Sequence, residues 1–177
     1  MTSGRRAAVA AVVMAVAAAL IGGGLVLLLR GGDDGTAARS GAFASALADA
    51  RPASAPFSGL TELQLGVGGD CRRIVVADDV GERATGLMRR RDLGPYYGML
   101  FVFDQPSTSA FTMSDVPVPL DIGFYDAAGR PIDRLEMQPC PDKTPAQCPV
   151  YLAKGPYRYA LETLGGGLSS GALSACP

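Results

Sequence analysis

The sequence predicts a mainly-β protein: a compact single-domain barrel or sandwich with one short helix, preceded by an N-terminal transmembrane helix. About seven short segments have the apolar patterns of strands, one has a helix-capping pattern, and one long uncharged apolar stretch lies near the N-terminus. At 177 residues the chain has room for one core plus accessory segments. We predict a cytoplasmic N-terminus (1–6), a transmembrane helix or signal anchor (7–29), a flexible linker (30–60) and an exported mainly-β domain (61–177).

The apolar stretch is long enough to cross a bilayer. Residues 7–29 carry no charge, and 23 helical residues at ~1.5 Å each span roughly the ~30 Å of the hydrocarbon layer. Arg5 and Arg6 precede this stretch, while Asp33 and Asp34 follow it, so the positive-inside rule keeps the short N-terminus in the cytoplasm. The prediction is a single-pass protein of the cell membrane with its C-terminal domain on the extracytoplasmic side.

The segment that follows has the composition of a linker. Gly, Ala, Ser and Pro dominate residues 30–60, and large apolar side chains are few. Residues 40–50 have the composition of a short Ala-rich helix, which is too short to be stable alone in water. Secretion after signal cleavage is the alternative to anchoring, because Ala-x-Ala tripeptides occur at 44–46 and 48–50.

The folded domain is predicted as a series of short strands with one helix. The predicted strands are 61–67, 72–77, 98–103, 111–126 (split by Pro117 and Pro119), 132–137 and 157–162. Residues 66–70 (GVGGD) lack the Gly-Lys-Ser/Thr ending of a phosphate loop, so they are interpreted as a hairpin turn. Asp79 and Glu82 have capping-box spacing, which predicts a helix with Ala84, Leu87 and Met88 on its apolar side.

Charge excludes one class of partner. Of the 16 basic residues, three flank the apolar stretch, which leaves 13 against 17 acidic residues and a formal charge of −4 for the rest of the chain. A nucleic-acid-binding protein needs a basic surface, so we predict no nucleic-acid partner. The cluster 89–91 with Arg83 is interpreted as a solvated turn rather than an anion site. The predicted partners are the membrane, through the N-terminal helix, and an unknown small-molecule, glycan or protein ligand.

Four cysteines predict two disulfides. Four cysteines allow three connectivities. Cys140 and Cys148 flank one loop and form the predicted local pair, which leaves Cys71 to meet Cys176 near the other end of the domain. A four-Cys zinc site is the alternative, but the chain has no C-x-x-C pair and an extracytoplasmic compartment is oxidising.

The chain contains no histidine, and this excludes several classes of enzyme. Without imidazole there is no Ser-His-Asp or Cys-His nucleophile and no His-bound catalytic zinc. No cofactor is predicted. A carboxylate pair remains possible, since Asp121 and Glu162 each lie in an apolar strand, and glycoside hydrolysis uses two carboxyl groups ~5 or ~9 Å apart.

The candidate ligand face combines these carboxylates with an aromatic residue. We predict that Asp121, Tyr125 and Glu162 share one face of the sheet, where polar and aromatic side chains follow the same alternation. Tyrosine rings suit sugar or peptide surfaces, and the full set is Tyr96, Tyr97, Tyr125, Tyr151, Tyr157 and Tyr159.

Methionines offer a further alternative. Thioethers are soft ligands for Cu(I), although methionine also fills gaps in small cores, which is the favoured interpretation. The four candidates are Met88, Met99, Met113 and Met137.

Taken in order, five motifs resemble a known family. GERATGLMRRRDL, GMLFVF, FTMSDVPVPLDIGFYDAAGR, EMQPC and YALE look like domain-of-unknown-function family 192, a set of small, often exported bacterial and archaeal proteins. The resemblance covers about residues 74–162 and implies a compact mainly-β domain, but no activity. The family pattern after Phe111 is an aromatic residue, Met, a basic residue and Asn. Here Ser114 replaces the basic residue of that pattern. The sequence thus predicts a membrane-tethered binding or accessory domain, with a carboxylate hydrolase and a Cu(I) carrier as alternatives.

Overall fold

The computed structural model describes residue 41 and residues 43–177, and most of their regular structure is β-strand. The strands are β1 (Arg51–Pro52), β2 (Thr61–Val67), β3 (Asp70–Ala77), β4 (Gly98–Ser107), β5 (Phe111–Thr112), β6 (Leu120–Tyr125), β7 (Pro131–Met137), β8 (Val150–Tyr151), β9 (Tyr157–Leu164) and β10 (Leu173–Ser174). Helical structure in this part comprises residues 43–48, helix α1 (Val80–Thr85) and a 3-10 turn (Pro145–Gln147). The prediction of a mainly-β fold is confirmed.

Eight of these strands form one open sheet. The order is β1-β2-β3-β4-β9-β6-β7, and β10 pairs with β2 beside β1. Strands β3 and β4 are parallel, while the other pairs are antiparallel. In the described part of the chain β1 and β7 do not pair, so the sheet is sandwich-like rather than a closed barrel. Strands β5 and β8 form a separate two-stranded ribbon.

The glycine-rich segment before Cys71 is a hairpin turn, as predicted. Val67 pairs with Asp70, and the two residues between them, Gly68 and Gly69, have φ values of 61° and 96°. A two-residue turn with positive φ at both positions matches the right-handed twist of the strands it joins, and glycine adopts these angles without steric cost.

Side chains from the two faces of the sheet form two separate cores. The first core includes Val75, Met99, Phe101, Met113, Ile122, Phe124, Met137 and Ala160. The second core includes Phe43, Leu65, Ile74, Leu100, Tyr125, Tyr159, Leu161 and Leu173. Neighbouring residues of β4, Met99 and Leu100, belong to different cores because successive strand residues point to opposite faces.

The folded body begins well before residue 61. Phe43 is fully buried, and its ring lies 4.6 Å from that of Tyr159 in the second core. Strand β1 pairs with β2, and Phe57 is buried in the first core. The prediction of a flexible linker is therefore wrong for residues 43–60. The few large apolar side chains of this segment each bury against a face of the sheet, which composition alone does not reveal.

Residues 1–6 and 7–29, predicted as the cytoplasmic N-terminus and the transmembrane helix, lie outside the described residues. Within residue 41 and residues 43–177, no helix combines the length and apolar character that a membrane crossing needs.

The predicted capping box is present at the start of helix α1. The Glu82 amide donates to Oδ1 of Asp79 at 2.8 Å, and Oε2 of Glu82 accepts from the Asp79 amide at 3.2 Å. Helix α1 ends at Thr85, and the next residue, Gly86, has a φ of 44° that breaks the helical path. Leu87 then enters the first core.

Both disulfides pair as predicted, Cys140 with Cys148 and Cys71 with Cys176. No cysteine in the described residues is free, so the four-Cys zinc alternative is wrong. The longer link fastens the β2–β3 hairpin to the C-terminal segment, and 105 positions in sequence separate its ends.

Candidate ligand-binding cavity

The three side chains predicted to share a ligand face lie on two faces of the sheet. Asp121 and Tyr125 point to the side of the second core, whereas Glu162 points to the first. Register explains the difference, because Glu162 of β9 is paired with Ile122 of β6 and Asp121 is paired with Thr163. The predicted common face is therefore wrong. For the same reason Asp121 and Glu162 cannot serve as the two carboxyl groups of one hydrolase site.

Asp121 is a buried carboxylate whose hydrogen-bonding capacity is used. Its Oδ2 accepts from the guanidinium of Arg134 at 2.9 Å and from the backbone amides of Gly166 and Leu168 at 3.1 and 3.4 Å. These bonds fix the glycine-rich segment after β9 onto the sheet. We interpret Asp121 as a structural residue.

Within residues 43–177, no hydrogen bond contributes to the pKa of Tyr125. Its ring lies over Gly123, where an added Cβ would come within 2.6 Å of the Tyr125 hydroxyl oxygen. Burial in the second core is the main cause that raises the pKa of Tyr125 to about 12. The hydroxyl is therefore neutral near pH 7.

Glu162 is buried without a partner. Only 4% of the residue is exposed, and among the described residues no hydrogen bond or cation contributes to the pKa of its carboxyl group. The fully enclosed polar side-chain atoms without a partner in this part of the chain are instead Nε of Arg72 and Nε of Arg158, so the Glu162 oxygens keep some contact with the cavity. Glu162 lies between Met99 of β4 and Ile122 of β6, which are both apolar. Burial disfavours the charged form and raises the pKa of Glu162 to about 8. The carboxyl group is therefore mostly protonated at neutral pH.

The Glu162 side chain lines a cavity of about 320 Å³ beside helix α1. The lining residues come from α1 and the residues that follow it, from β4, from β9 and from the segment around β5. The lining includes Phe101, Phe103 and Phe111, together with Ala84, Leu87, Met88 and Val116. Hydroxyl groups are contributed by Thr85, Ser109 and Thr112. The volume lies at the small end of the ~300–1,000 Å³ of ligand pockets, which are typically apolar with a few polar groups.

Local features of the sequence build these walls. At Gly86 a Cβ would lie 3.1 Å from the Phe101 ring, so glycine lets the helix end approach that ring closely. The rings of Phe101 and Phe111 are perpendicular, with centroids 5.1 Å apart, and form a corner. The hydroxyl of Tyr157 donates to the Ser109 carbonyl at 2.7 Å and holds the rim.

Arg83 is the second charged residue that lines the cavity. Its Nη1 donates to the carbonyl of Val102 at 2.8 Å and also to the carbonyl of Asp78. The guanidinium lies 5.1 Å from the centroid of the Phe103 ring. These contacts tie Arg83 to the wall and not to Glu162.

The predicted tyrosine surface does not form. Tyr125 and Tyr159 belong to the second core, Tyr96 and Tyr157 to the first, and Tyr97 bonds to the carbonyl of Gly167. The aromatic residues of the cavity are phenylalanines, which sequence analysis did not select. Two of these phenylalanines, Phe101 and Phe103, lie in the GMLFVF motif, which was the feature of the sequence that could have indicated them.

The candidate copper ligands divide between the core and the cavity. Met99, Met113 and Met137 are fully buried in the first core, while Met88 is half-buried and lines the cavity. This burial favours the packing interpretation, and copper binding stays a prediction. In the described part of the chain no group of three or more Asp, Glu, Cys or His is placed to hold a metal ion.

The arginines after helix α1 do not converge on one point. Arg89 forms a salt bridge with Asp115 at 2.9 Å, Arg90 lies over the Phe57 ring, and Arg91 is exposed.

A second buried carboxylate, Glu62, was missed by sequence analysis. Its carboxylate accepts from Arg73 at 2.6 Å, from Arg51 at 2.9 Å and from the hydroxyl of Tyr96. The hydrogen bond from Arg73 is the largest cause that lowers the pKa of Glu62 to about 2. Glu62 is satisfied and charged, in contrast to Glu162.

Comparisons with known proteins agree with this fold. The family model DUF192, described as an uncharacterised ACR, matches residues 63–174, more than half of the chain. No curated protein gives a significant match.

Two solved structures are similar. A protein of unknown function from Novosphingobium aromaticivorans DSM 12444 is 32% identical, with a TM-score of 0.58 over 71% of this chain and 93% of that one. A proposed transcription regulator from Sinorhizobium meliloti 1021 is 26% identical, with a TM-score of 0.51 over 62% of this chain and 88% of that one.

Proposed function

Since this chain belongs to the DUF192 family, for which no activity is given, we propose a function from its cavity: the domain binds a small, largely apolar ligand beside Glu162. The unpaired carboxyl group of Glu162 carries this proposal. A polar group with so little exposure and no protein partner costs free energy, and its cross-strand neighbours Met99 and Ile122 are apolar and offer no hydrogen bond. A carboxyl group that faces a cavity instead has room to bond a ligand.

The composition of the cavity supports a binding role. Ligand sites combine an apolar lining with a small number of polar groups that orient the ligand. Here the three phenylalanines supply apolar contact, and Glu162 supplies the buried polar group. The rim hydroxyls of Ser109 and Thr112 are secondary partners.

We also propose that this domain is tethered to the cell membrane on its extracytoplasmic side. The uncharged segment 7–29 and the acidic residues after it support the anchor and its orientation. Two disulfides support an oxidising compartment. Secretion after signal cleavage remains the alternative.

A role in transcription regulation, as proposed for the Sinorhizobium protein, is not proposed for this chain. The formal charge of −4 after the apolar segment opposes contact with nucleic acid.

A catalytic role for Glu162 alone is the second candidate. A carboxyl group whose pKa is raised to about 8 by burial has the property of a general acid. However, Glu162 and Arg83 are the only ionisable residues lining the cavity within the described residues, and Arg83 is held by backbone carbonyls. General acid catalysis of hydrolysis also needs a base or a nucleophile, so we favour binding.

The test is protein-observed NMR on the full-length, disulfide-bonded protein in detergent, with a library of small apolar and amphipathic compounds. We expect at least one compound to shift the Phe101 and Phe111 resonances. Ala110→Trp should abolish these shifts, because it adds a large ring to the exposed cavity rim while leaving Glu162 in place. Glu136→Gln, at an exposed residue of β7, which pairs with β6, is the matched control and should bind normally. A library without any compound that shifts these resonances would overturn the proposal.

A further inference from the structure

The charged residues that line the cavity favour a ligand with a positive charge. Glu162 is the only acidic residue in the described lining, and no cation neutralises it. Arg83 is the only basic residue there, and it is engaged by the Val102 carbonyl and the Phe103 ring. An anionic ligand would meet a carboxyl group, whereas a cationic ligand would supply the partner that Glu162 lacks.

The aromatic rings that line the cavity also favour a positively charged ligand. The faces of phenylalanine rings attract cations, and this attraction is strongest in desolvated sites. The Phe101 and Phe111 rings both line the cavity and pack edge to face, with centroids 5.1 Å apart, so both are available to a ligand in the cavity. Quaternary ammonium ligands are commonly recognised by aromatic rings.

We infer that the ligand of this cavity is an organic ammonium cation: its charged nitrogen pairs with Glu162, and its apolar body packs against Phe101 and Phe111. This inference rests on the proposed binding function and names its ligand class. A neutral ligand would meet Glu162 as a neutral acid, with one O–H donor and a carbonyl acceptor, and the Phe101 and Phe111 rings would then contribute apolar contact alone.

Binding of an ammonium group changes the protonation of Glu162. The neutral carboxylic acid of the empty cavity loses its proton to solvent, and the resulting carboxylate pairs with the ammonium nitrogen. Below about pH 8 each bound cation therefore releases up to one proton, and affinity rises with pH until Glu162 is ionised in the empty protein as well. Of the residues around Glu162, Met99 of β4 and Ile122 of β6 carry no titratable group, and Arg83 of helix α1 is bonded to the Val102 carbonyl.

The experiment is isothermal titration calorimetry with three probes of similar shape: benzylammonium, benzyl alcohol and benzoate. The full-length wild-type protein is compared with Glu162→Gln and with the control Glu136→Gln. Because glutamine closely resembles the protonated acid in shape and is neutral like it, Glu162→Gln is expected to fold, which thermal unfolding checks. Ala110→Trp keeps Glu162 while obstructing the cavity, and provides a second test.

We expect benzylammonium to bind the wild type about tenfold more tightly than benzyl alcohol, with benzoate weakest. Glu162→Gln should remove the preference for benzylammonium over benzyl alcohol, and Glu136→Gln should keep it. Ala110→Trp should bind neither compound. The enthalpy should depend on the ionisation heat of the buffer, because a proton is released.

Two results would overturn the inference. Equal binding of the alcohol and the ammonium compound, unaffected by Glu162→Gln, would contradict the cationic ligand but keep the cavity as a binding site. If no probe binds, the ammonium class is rejected, and the NMR library screen decides separately whether the cavity takes any other ligand.

Discussion

Asp121 of β6 and Glu162 of β9 lie one register step apart in the same sheet, yet their side chains leave it on opposite faces. Asp121 accepts three hydrogen bonds and fixes the segment after β9. Glu162 has no partner among the described residues and lines a cavity. Two carboxyl groups with similar sequence surroundings therefore have different roles, and Glu162 alone is the candidate functional group.

Glu162 should make stability depend on pH. Its folded pKa of about 8 exceeds the usual value of 4.5, so the folded state binds more protons than the unfolded state between these values. The contribution of Glu162 to the free energy of unfolding should therefore be fully present below pH 4.5 and fall by up to about 5 kcal/mol as pH rises through about 8. Urea denaturation at several pH values measures this change.

Glu162→Gln should flatten this pH dependence and be more stable than the wild type at pH 8. Glu136→Gln should retain it. The chain has no histidine, so few other side chains titrate in this range. A wild-type protein whose stability is constant between pH 5 and 8 would contradict the burial of an unpaired acid.

Glu62 should show the opposite pH dependence. Because its pKa is lowered to about 2, its contribution to stability is present above pH 4.5 and is lost as pH falls towards 2. Glu62→Gln should lower the free energy of unfolding at neutral pH by about 1–3 kcal/mol, since Arg73 and Tyr96 lose a charged acceptor. Chemical denaturation at neutral and acidic pH checks this. If Glu62→Gln lowers the free energy of unfolding no more than Glu136→Gln does, the contact between Arg73 and Glu62 does not stabilise the fold.

Phe43 should be part of the folded domain. Phe43→Ala removes a fully buried ring that contacts Tyr159, and such changes cost about 3–5 kcal/mol. Val80→Ala is the comparison, because Val80 is 76% exposed and its loss should change stability by about 0.5 kcal/mol or less. Equal denaturation midpoints for the two variants would place Phe43 in a linker after all.

The two disulfides should differ in their contribution to stability. The chain-entropy relation gives about 5 kcal/mol for the 105-residue separation of Cys71 and Cys176 and about 2–3 kcal/mol for the eight-residue separation of Cys140 and Cys148. Paired Cys→Ser variants of each bridge, compared by urea denaturation, test the order. A larger loss of stability on removal of the Cys140–Cys148 bridge than of the Cys71–Cys176 bridge would contradict this prediction.

Local signals account for the parts of the fold that the sequence predicted. Asp79 and Glu82 form a capping box, Gly68 and Gly69 form a tight turn, and Cys140 pairs with Cys148 across one loop. Each depends on residues close in sequence, so pattern and residue chemistry suffice.

Contacts between distant segments account for what was missed. Alternation within β6 places Asp121 and Tyr125 on one face, but the face of Glu162 depends on its pairing with Ile122 40 residues away. Phe43 lies in a segment with the composition of a linker. Its burial depends on a contact with the Tyr159 ring, which is distant in sequence. Glu62 resembles an ordinary exposed strand residue until Arg73 and Tyr96 are placed beside it.

The most direct test of the account is an NMR titration of the Glu162 carboxyl carbon in the full-length protein, with and without saturating benzylammonium. The account predicts a pKa near 8 in the empty protein, because the group is buried without a partner, and a clearly lower pKa when the ammonium compound is bound. A carboxyl group that titrates near its usual 4.5 and does not respond to the compound would contradict both the buried acid and its role in the cavity.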